Sequence, residues 1–384
     1  MNKNEFFTFY KNKRVLITGH TGFKGTWLTK ILLRFGAQVT GYALEPIAQP
    51  NLFELSGIRN YENFYHVTGD VRDLQKLKKV FQDSRPEIVI HLAAQPIVRE
   101  SYKDPVGTYF TNVMGTVNVM ECIRTTRNAE GTLAVRSFLN VTTDKVYQNK
   151  EGCWGYRENE PLDGYDPYSN SKSCSELVTH SYKNSFFSSS KKEALETGKP
   201  LMAISTARAG NVIGGGDFAK DRIIPDSVKA VKNAFDWKMQ EAEIIVRNPH
   251  SIRPYQHVLE PLFMYLTIAM MQYENIKFVG CYNVGPDDSD CVSTGKLVDL
   301  FCARWNENID LFPKVCWKSI VESNAPQEAS FLKLDCSKAK GVFGWKPRWN
   351  IDMAVEQTVC FTRVWMKEES IVDEMDREIA AYLE

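Results

Sequence analysis

The feature that most restricts the fold is a rhythm. Over the first two hundred residues, short apolar runs of strand length alternate with amphipathic stretches of helical period. Arg14–Thr18 (RVLIT) is such a run and ends in a glycine turn. Thr26–Phe35 has apolar residues at helical spacing and stops at Gly36. Gln38–Ala43, Phe64–Thr68, Glu87–Leu92 and Ser137–Thr142 read as further strands, with helices over Leu74–Asp83, Pro105–Arg124 and about Tyr168–Ser185. Strands separated by helices must pair in parallel, and right-handed crossovers then cover both faces of the sheet. The expected fold class is α/β, a doubly wound parallel sheet of Rossmann type with a smaller mixed α/β lobe. Residues 188–200 read as a polar surface excursion before a strand at Leu201–Ala207. Beyond Asn211 the rhythm gives way to turn-rich segments such as GGGD (214–217) and GPDDSD (285–290). We expect one domain over 1–211 and a second lobe mainly over 212–384, with segments near 255–285 returning to the first.

The turn after the first strand is Gly19-His20-Thr21-Gly22-Phe23-Lys24-Gly25, spaced G-x-x-G-x-x-G. Glycines allow a tight turn and a close backbone approach, and the next helix aims its free N–H groups and positive end at an anion. A strand before and a helix behind supply the context that dinucleotide binding needs. Gly19, Thr21, Gly22, Phe23, Lys24 and Gly25 are therefore the expected pyrophosphate contacts. Glu45, 20 residues past Gly25, is the nearest acid for ribose hydroxyls, and no arginine lies near that strand end in sequence to welcome a 2′-phosphate. NAD is expected over NADP. His20 and Lys24 are expected to meet phosphate or substrate, with plain solvent exposure as the alternative. Asp70 and Val71 follow the third strand, at the adenine edge. Ala93, Ala94 and Gln95 follow the fourth, at the carboxyl end of the sheet where such folds bind ligands.

Composition narrows the partners. The 384 residues carry 47 Lys+Arg against 47 Asp+Glu, without the basic surplus that nucleic acid or an anionic membrane demands. The nine cysteines include no C-x-x-C and the six histidines no H-x-x-x-H, so no metal is expected. The first dozen residues lack a long apolar run, and the apolar stretch Leu262–Met271 is too short to span a bilayer. The expected location is the cytoplasm.

Thr142-Thr143-Asp144-Lys145-Val146-Tyr147 directly follows the fifth strand, and Tyr168-Ser-Asn-Ser-Lys172 opens the next helix. Tyr and Lys at i, i+4 share one helix face. A nearby ammonium favours the phenolate, which lowers the pKa from ~10 and turns Tyr168 into a base for an alcohol.

Together with the glycine turn, these residues resemble the extended short-chain dehydrogenase/reductase superfamily and, within it, the nucleotide-sugar 4,6-dehydratases. The resemblance runs over nearly the whole chain. It rests on GHTGFKGTWL (19–28), AAQPIVRESYKDPVGTYFTNVMGT (93–116), TTDKVY (142–147), YSNSK (168–172), ARAGNVIGGGDFAKDRIIPD (207–226) and RPYQHVLEPL (253–262). The His-Thr-Gly-Phe-Lys turn and Lys145 point to the CDP-sugar branch, since the dTDP-sugar branch carries glutamate where Lys145 stands. Tyr255, where tryptophan is more usual, is a mild departure.

The resemblance implies catalytic NAD, a CDP-glucose substrate and roles for named residues. Tyr168, aided by Lys172, takes the proton of the sugar 4-hydroxyl, and Thr143 orients that oxygen. Asp144 protonates the departing 6-hydroxyl. Lys145 either takes the C5 proton, for which it must be neutral, or stays charged and stabilises the enolate. Thr142, Tyr168 and Lys172 also line the cofactor. Arg253, Arg222 and Arg208 are implied phosphate contacts, Arg253 foremost, because guanidinium pairs with phosphate in bidentate fashion. His20 and Asn211 are further substrate candidates, and Asn112 is expected to bridge backbone near the site. Tyr255, His257 and Arg99 are guesses for base recognition. A homodimer through Pro105–Arg124 and Tyr168–Ser185 is implied. The competing readings are a dehydratase or epimerase for another nucleotide sugar, and a non-catalytic NAD-binding regulator.

Overall fold

The structure is a computed structural model that describes residues 3–46, 49–187, 202–307, 309, 311–320 and 331–384. Six parallel strands occur in the first 209 residues: β1 Arg14–Thr18, β2 Gln38–Ala43, β3 Phe64–Thr68, β4 Ile88–His91, β5 Ser137–Val141 and β6 Ala203–Ala209. Seven more follow: β7 Val212–Ile213, β8 Glu241–Val246, β9 Ile252–Arg253, β10 Gln256–His257, β11 Cys281–Val284, β12 Val292–Ser293 and β13 Lys314–Ser319. The main sheet is seven-stranded in the order β11-β6-β5-β4-β1-β2-β3. Every pairing in it is parallel. The order reverses at β1, so the carboxyl ends of β1 and β4 flank the switch point where doubly wound sheets bind ligands. The polar excursion expected over 188–200 and Leu201 lie outside the described residues.

The two-residue period of the strands sorts side chains between two cores. Val15, Ile17, Leu139 and Val141 face one, with the helices Phe23–Arg34, Leu259–Glu274 and Ile371–Leu383. Leu16, Val89 and Phe138 face the other, with the helices Leu74–Ser84 and Gly115–Thr125. The long helix expected over Pro105–Arg124 is interrupted by a π-turn at Phe110–Met114. A further core joins the helices Ile223–Asp236, Thr294–Asn306 and Ile351–Met366 to the parallel pair β8–β13. β11 pairs with β6 at the edge of the main sheet, and the helix Leu259–Glu274 packs on its face. No described helix is long and apolar enough to cross a membrane. All nine cysteines are free thiols.

Candidate active site

The glycine turn is built by steric need. A β-carbon on Gly25 would stand 2.2 Å from the Gly19 carbonyl oxygen, and one on Gly19 would stand 2.7 Å from the Ala93 nitrogen. Gly19 also adopts φ +80°, in the left-handed region that favours glycine. The helix Phe23–Arg34 that follows has no side-chain cap at Gly22 and no acid in its first turn. Its positive end therefore lies open at the carboxyl edge of the sheet, which suits a dinucleotide pyrophosphate. Thr21 donates to Leu44 O at 2.9 Å and ties the turn to the end of β2. Phe23 borders Gly214, and the Trp27 indole N–H donates to Gly215 O at 3.1 Å, so this helix holds the Gly214–Asp217 loop at two points.

Thr143, Asp144, Lys145, Tyr168 and Lys172 converge just beyond β5. Thr143 Oγ1 donates to Asp144 Oδ1 at 2.9 Å, and Lys145 Nζ donates to the same oxygen at 2.8 Å. Lys145 Nζ also reaches Asn211 Oδ1 at 3.1 Å. Asp144 is fully buried, and its Oδ2 has no hydrogen-bond partner among the described residues. Burial pushes the Tyr168 phenol up to about 12, opposed by its hydrogen bond with Thr143 and reinforced by the Asp144 charge. The lowering expected of Lys172 is outweighed, since the phenol stands above its usual value. The Lys172 ammonium is held at Val141 O, 3.1 Å away, and burial drives it down to about 8 against the pull of Glu176. Lys24 also points here. Burial lowers it to about 8, with Arg222 adding to the effect and Asp144 opposing it.

Asn112 accepts from Gln95 N at 2.8 Å and donates to Gln95 O and Ser171 Oγ. Ala93 and Ala94 continue from β4 beside these contacts, with Ala93 N donating to Thr18 Oγ1 at 3.2 Å. Arg222 pairs with the buried Asp217 at 3.1 Å, close enough to Tyr168 for its charge to favour the phenolate. Arg253 is buried and donates to Ile252 O at 2.9 Å. Asp70 binds Arg72 at 2.6 Å, while the Val71 side chain is buried in the core.

Four expectations fail on geometry. Arg208 cannot meet a phosphate, because its guanidinium is 3% exposed and spans both oxygens of the buried Glu176 at 3.0 Å. The Thr142 hydroxyl is taken up inside the protein, donating to the buried Glu176 at 2.5 Å. His20 turns inward, its Nε2 lying 2.7 Å from His66 Nδ1. It fills the space left by Gly41, and burial drops its pKa to about 3, so it does not face phosphate. An arginine does stand at the β2 tip: Arg59, distant in sequence, pairs with Glu45 at 2.9 Å. The guesses at base recognition fare no better where the geometry speaks. His257 is buried 3.3 Å from Glu378, and the Tyr255 hydroxyl contacts Thr294.

Sequence reasoning missed Glu176. It collects Arg208, Thr142 and Thr206 into one buried cluster, and Arg208 extends it through Tyr147 to Asn283. Its signal was there: Glu176 lies four residues after Lys172, one turn deeper on the same helix face.

A parallel doubly wound sheet with an open helix end at its switch point, and a Thr–Tyr–Lys group over β5, defines a dinucleotide-dependent site for chemistry at an alcohol. The comparisons agree. Residues 16–190 match the family described as GDP-mannose 4,6 dehydratase. CDP-glucose 4,6-dehydratase of Salmonella typhimurium is 44% identical over 376 residues, covering 98% of this chain and 97% of that one. Among solved structures, dTDP-glucose 4,6-dehydratase from Bacillus anthracis in complex with NAD has a TM-score of 0.68 at 18% identity, covering 94% of this chain and 99% of the other. UDP-glucose 4-epimerase of Thermus thermophilus complexed with NAD has a TM-score of 0.70 at 21% identity, covering 91% and 99%. The chain belongs to the nucleotide-sugar 4,6-dehydratases of the short-chain dehydrogenase/reductase superfamily.

Proposed function

We propose that the protein dehydrates CDP-D-glucose to CDP-4-dehydro-6-deoxy-D-glucose with bound NAD. The observation that carries this reading is the hydrogen-bonded Thr143–Asp144–Lys145 group beside Tyr168, with Thr143 and Asp144 buried, in a chain 44% identical to a CDP-glucose 4,6-dehydratase. NAD fits the open helix end and the glycine turn, and when bound it supplies the hydride acceptor and later the hydride donor. Tyr168 accepts the proton of the sugar 4-hydroxyl, whose oxygen Thr143 orients. The 4-ketone that results acidifies C5–H. Lys145 takes that proton, the C6–O bond breaks, and Asp144 gives its proton to the departing hydroxide, which leaves as water. Lys145 returns a proton to C5 at the end. Asn211, which accepts from Lys145 Nζ, fixes the direction of that ammonium.

Residues 1–211 with the returning β11 hold cofactor and chemistry in this reading, and most of 212–384 grips the nucleotide, with Arg222 and Arg253 nearest the phosphates. The protein acts as a cytoplasmic homodimer. Val106, Phe110 and Leu177 support this, standing 78%, 50% and 55% exposed on the helices expected to pair. The test is incubation with NAD and CDP-, UDP-, GDP- or dTDP-glucose in separate assays, reading the alkaline absorbance of a 4-keto-6-deoxy product. Turnover of CDP-glucose alone is expected, and turnover of only dTDP-glucose refutes the assignment.

A further inference from the structure

The helix Leu259–Glu274 lies under β5 and carries a tyrosine that the reaction above does not use. Its register is fixed by Arg136, whose guanidinium donates to Tyr273 O at 3.2 Å, and by Ser137 Oγ, which donates to Ala269 O at 2.8 Å, one residue on along the strand and four back along the helix. Strand and helix therefore run antiparallel. Moving four residues back along the helix, from Ala269 to Tyr265, climbs ~6 Å toward the carboxyl edge of the sheet. The Tyr265 ring leans further the same way, because helical side chains point toward the helix N-terminus. That brings it beneath the end of β5, where Val141 shares its core and Asp144 follows three residues on.

Two polar atoms on this floor are buried without a hydrogen-bond partner among the described residues: Tyr265 Oη and Asp144 Oδ2. Both side chains belong to fully buried residues. A buried orphaned hydroxyl is costly, and native structures keep few of them without a reason. Burial pushes the Tyr265 phenol well up, and the neighbouring Tyr168 and Asp144 push it further. The other Asp144 oxygen, Oδ1, is already taken by Thr143 and Lys145, both donors. The proton that Asp144 must carry for water loss therefore sits on Oδ2. A hydroxyl suits that oxygen in both states, since it accepts from a carboxylic acid and donates to a carboxylate.

We propose that Tyr265 is a positioning residue for the elimination step, its hydroxyl holding the proton-bearing oxygen of Asp144 across one bound water. The inference rests on the dehydratase reading above. It separates the two halves of the reaction, because C4 oxidation uses Tyr168 and Thr143, whereas loss of the 6-hydroxyl uses Asp144.

The test is Tyr265→Phe in the NAD-loaded full chain, under single turnover with CDP-glucose. Reduced cofactor is followed at 340 nm and the 4-keto-6-deoxy product by its alkaline absorbance. The variant is expected to form reduced cofactor at the wild-type rate and to make product about tenfold more slowly, so that reduced cofactor accumulates. In an Asp144→Asn background the same change should add less than about twofold, because the acid that Tyr265 positions is gone. An unchanged product rate, equal slowing of both steps, additivity with Asp144→Asn, or a fall in the thermal midpoint (the mark of a structural role) each overturns the proposal. Those results presuppose turnover by the wild-type enzyme. A wild type inert toward all four nucleotide sugars overturns the functional reading itself.

Discussion

Glu176→Gln should destabilise this protein more than any surface substitution. The wild-type carboxylate accepts from Arg208 Nε and one terminal nitrogen, each at 3.0 Å, and from Thr142 and Thr206 at 2.5 and 2.7 Å. Side-chain exposures of 3% for Arg208 and 2% for Glu176 leave no water to take over. The amide keeps one acceptor oxygen, loses the charge and turns two donors toward groups that are themselves donors. Breaking a buried pair from one side costs about 3–5 kcal/mol, because the remaining charge is stranded. At roughly 2 °C per kcal/mol for a chain of this size, the thermal midpoint should fall by about 6–10 °C. Replacing both partners, as Glu176→Leu with Arg208→Met, should recover most of the loss, since a well-packed apolar pair replaces a buried ion pair at little net cost. Differential scanning fluorimetry on the three variants reads this directly. A Glu176→Gln midpoint within about 2 °C of wild type refutes the reasoning, as does a double variant worse than the single. Activity should fall as well, because Glu176 opposes the depression of Lys172 and its charge is lost in the variant.

Gly25→Ala should lower NAD affinity at least about tenfold by titration calorimetry, because its β-carbon would collide with the Gly19 backbone that shapes the turn. Lys172 titrates near 8 in the folded chain and ~10.4 when unfolded, so between those values the unfolded state holds the extra proton. Its contribution to stability should therefore rise with pH from about 8 to 10.4, and Lys172→Met should flatten that rise in denaturation midpoints measured without cofactor. Glu45→Ala combined with Glu54→Ala frees Arg59 at the β2 tip from both its ion pairs and should narrow the preference for NAD over NADP by about tenfold in paired affinity measurements. Leu177→Glu should convert dimer to monomer in sedimentation, with the monomer keeping its fold.

The sheet was legible because its information is local. Strand length, helical period and a glycine turn all lie within a few residues of one another, and β1 to β5 fall within a residue of where the pattern puts them. Tyr168 and Lys172 were legible for the same reason. What escaped depends on residues that only folding brings together. Glu176 meets Arg208 across 32 positions, and Arg59 reaches Glu45 across 14. His20 was misread because nothing local says that Gly41, on the neighbouring strand, leaves room for a ring beneath it. The upward shift of Tyr168 escaped because sequence shows the i, i+4 spacing of Lys172 but neither the burial that raises the phenol nor the Val141 carbonyl that holds the ammonium.

The late return of the chain governs when this enzyme is born on the ribosome. The core around β1, the first strand made, is closed by the helix Leu259–Glu274, by β11 beside β6, and by the helix Ile371–Leu383. Tyr10, near the start, donates to Leu266 O, and Phe263 stacks on Tyr382 with ring centroids 4.8 Å apart. At about 5–20 residues per second, the opening strands wait some tens of seconds for the segments that cover them. During that interval the nascent sheet exposes apolar strands, so chaperone demand and sensitivity to C-terminal truncation are built into the topology. A chain cut before Ile371 should be cleared rather than assembled, even though every residue assigned here to the chemistry has already been made.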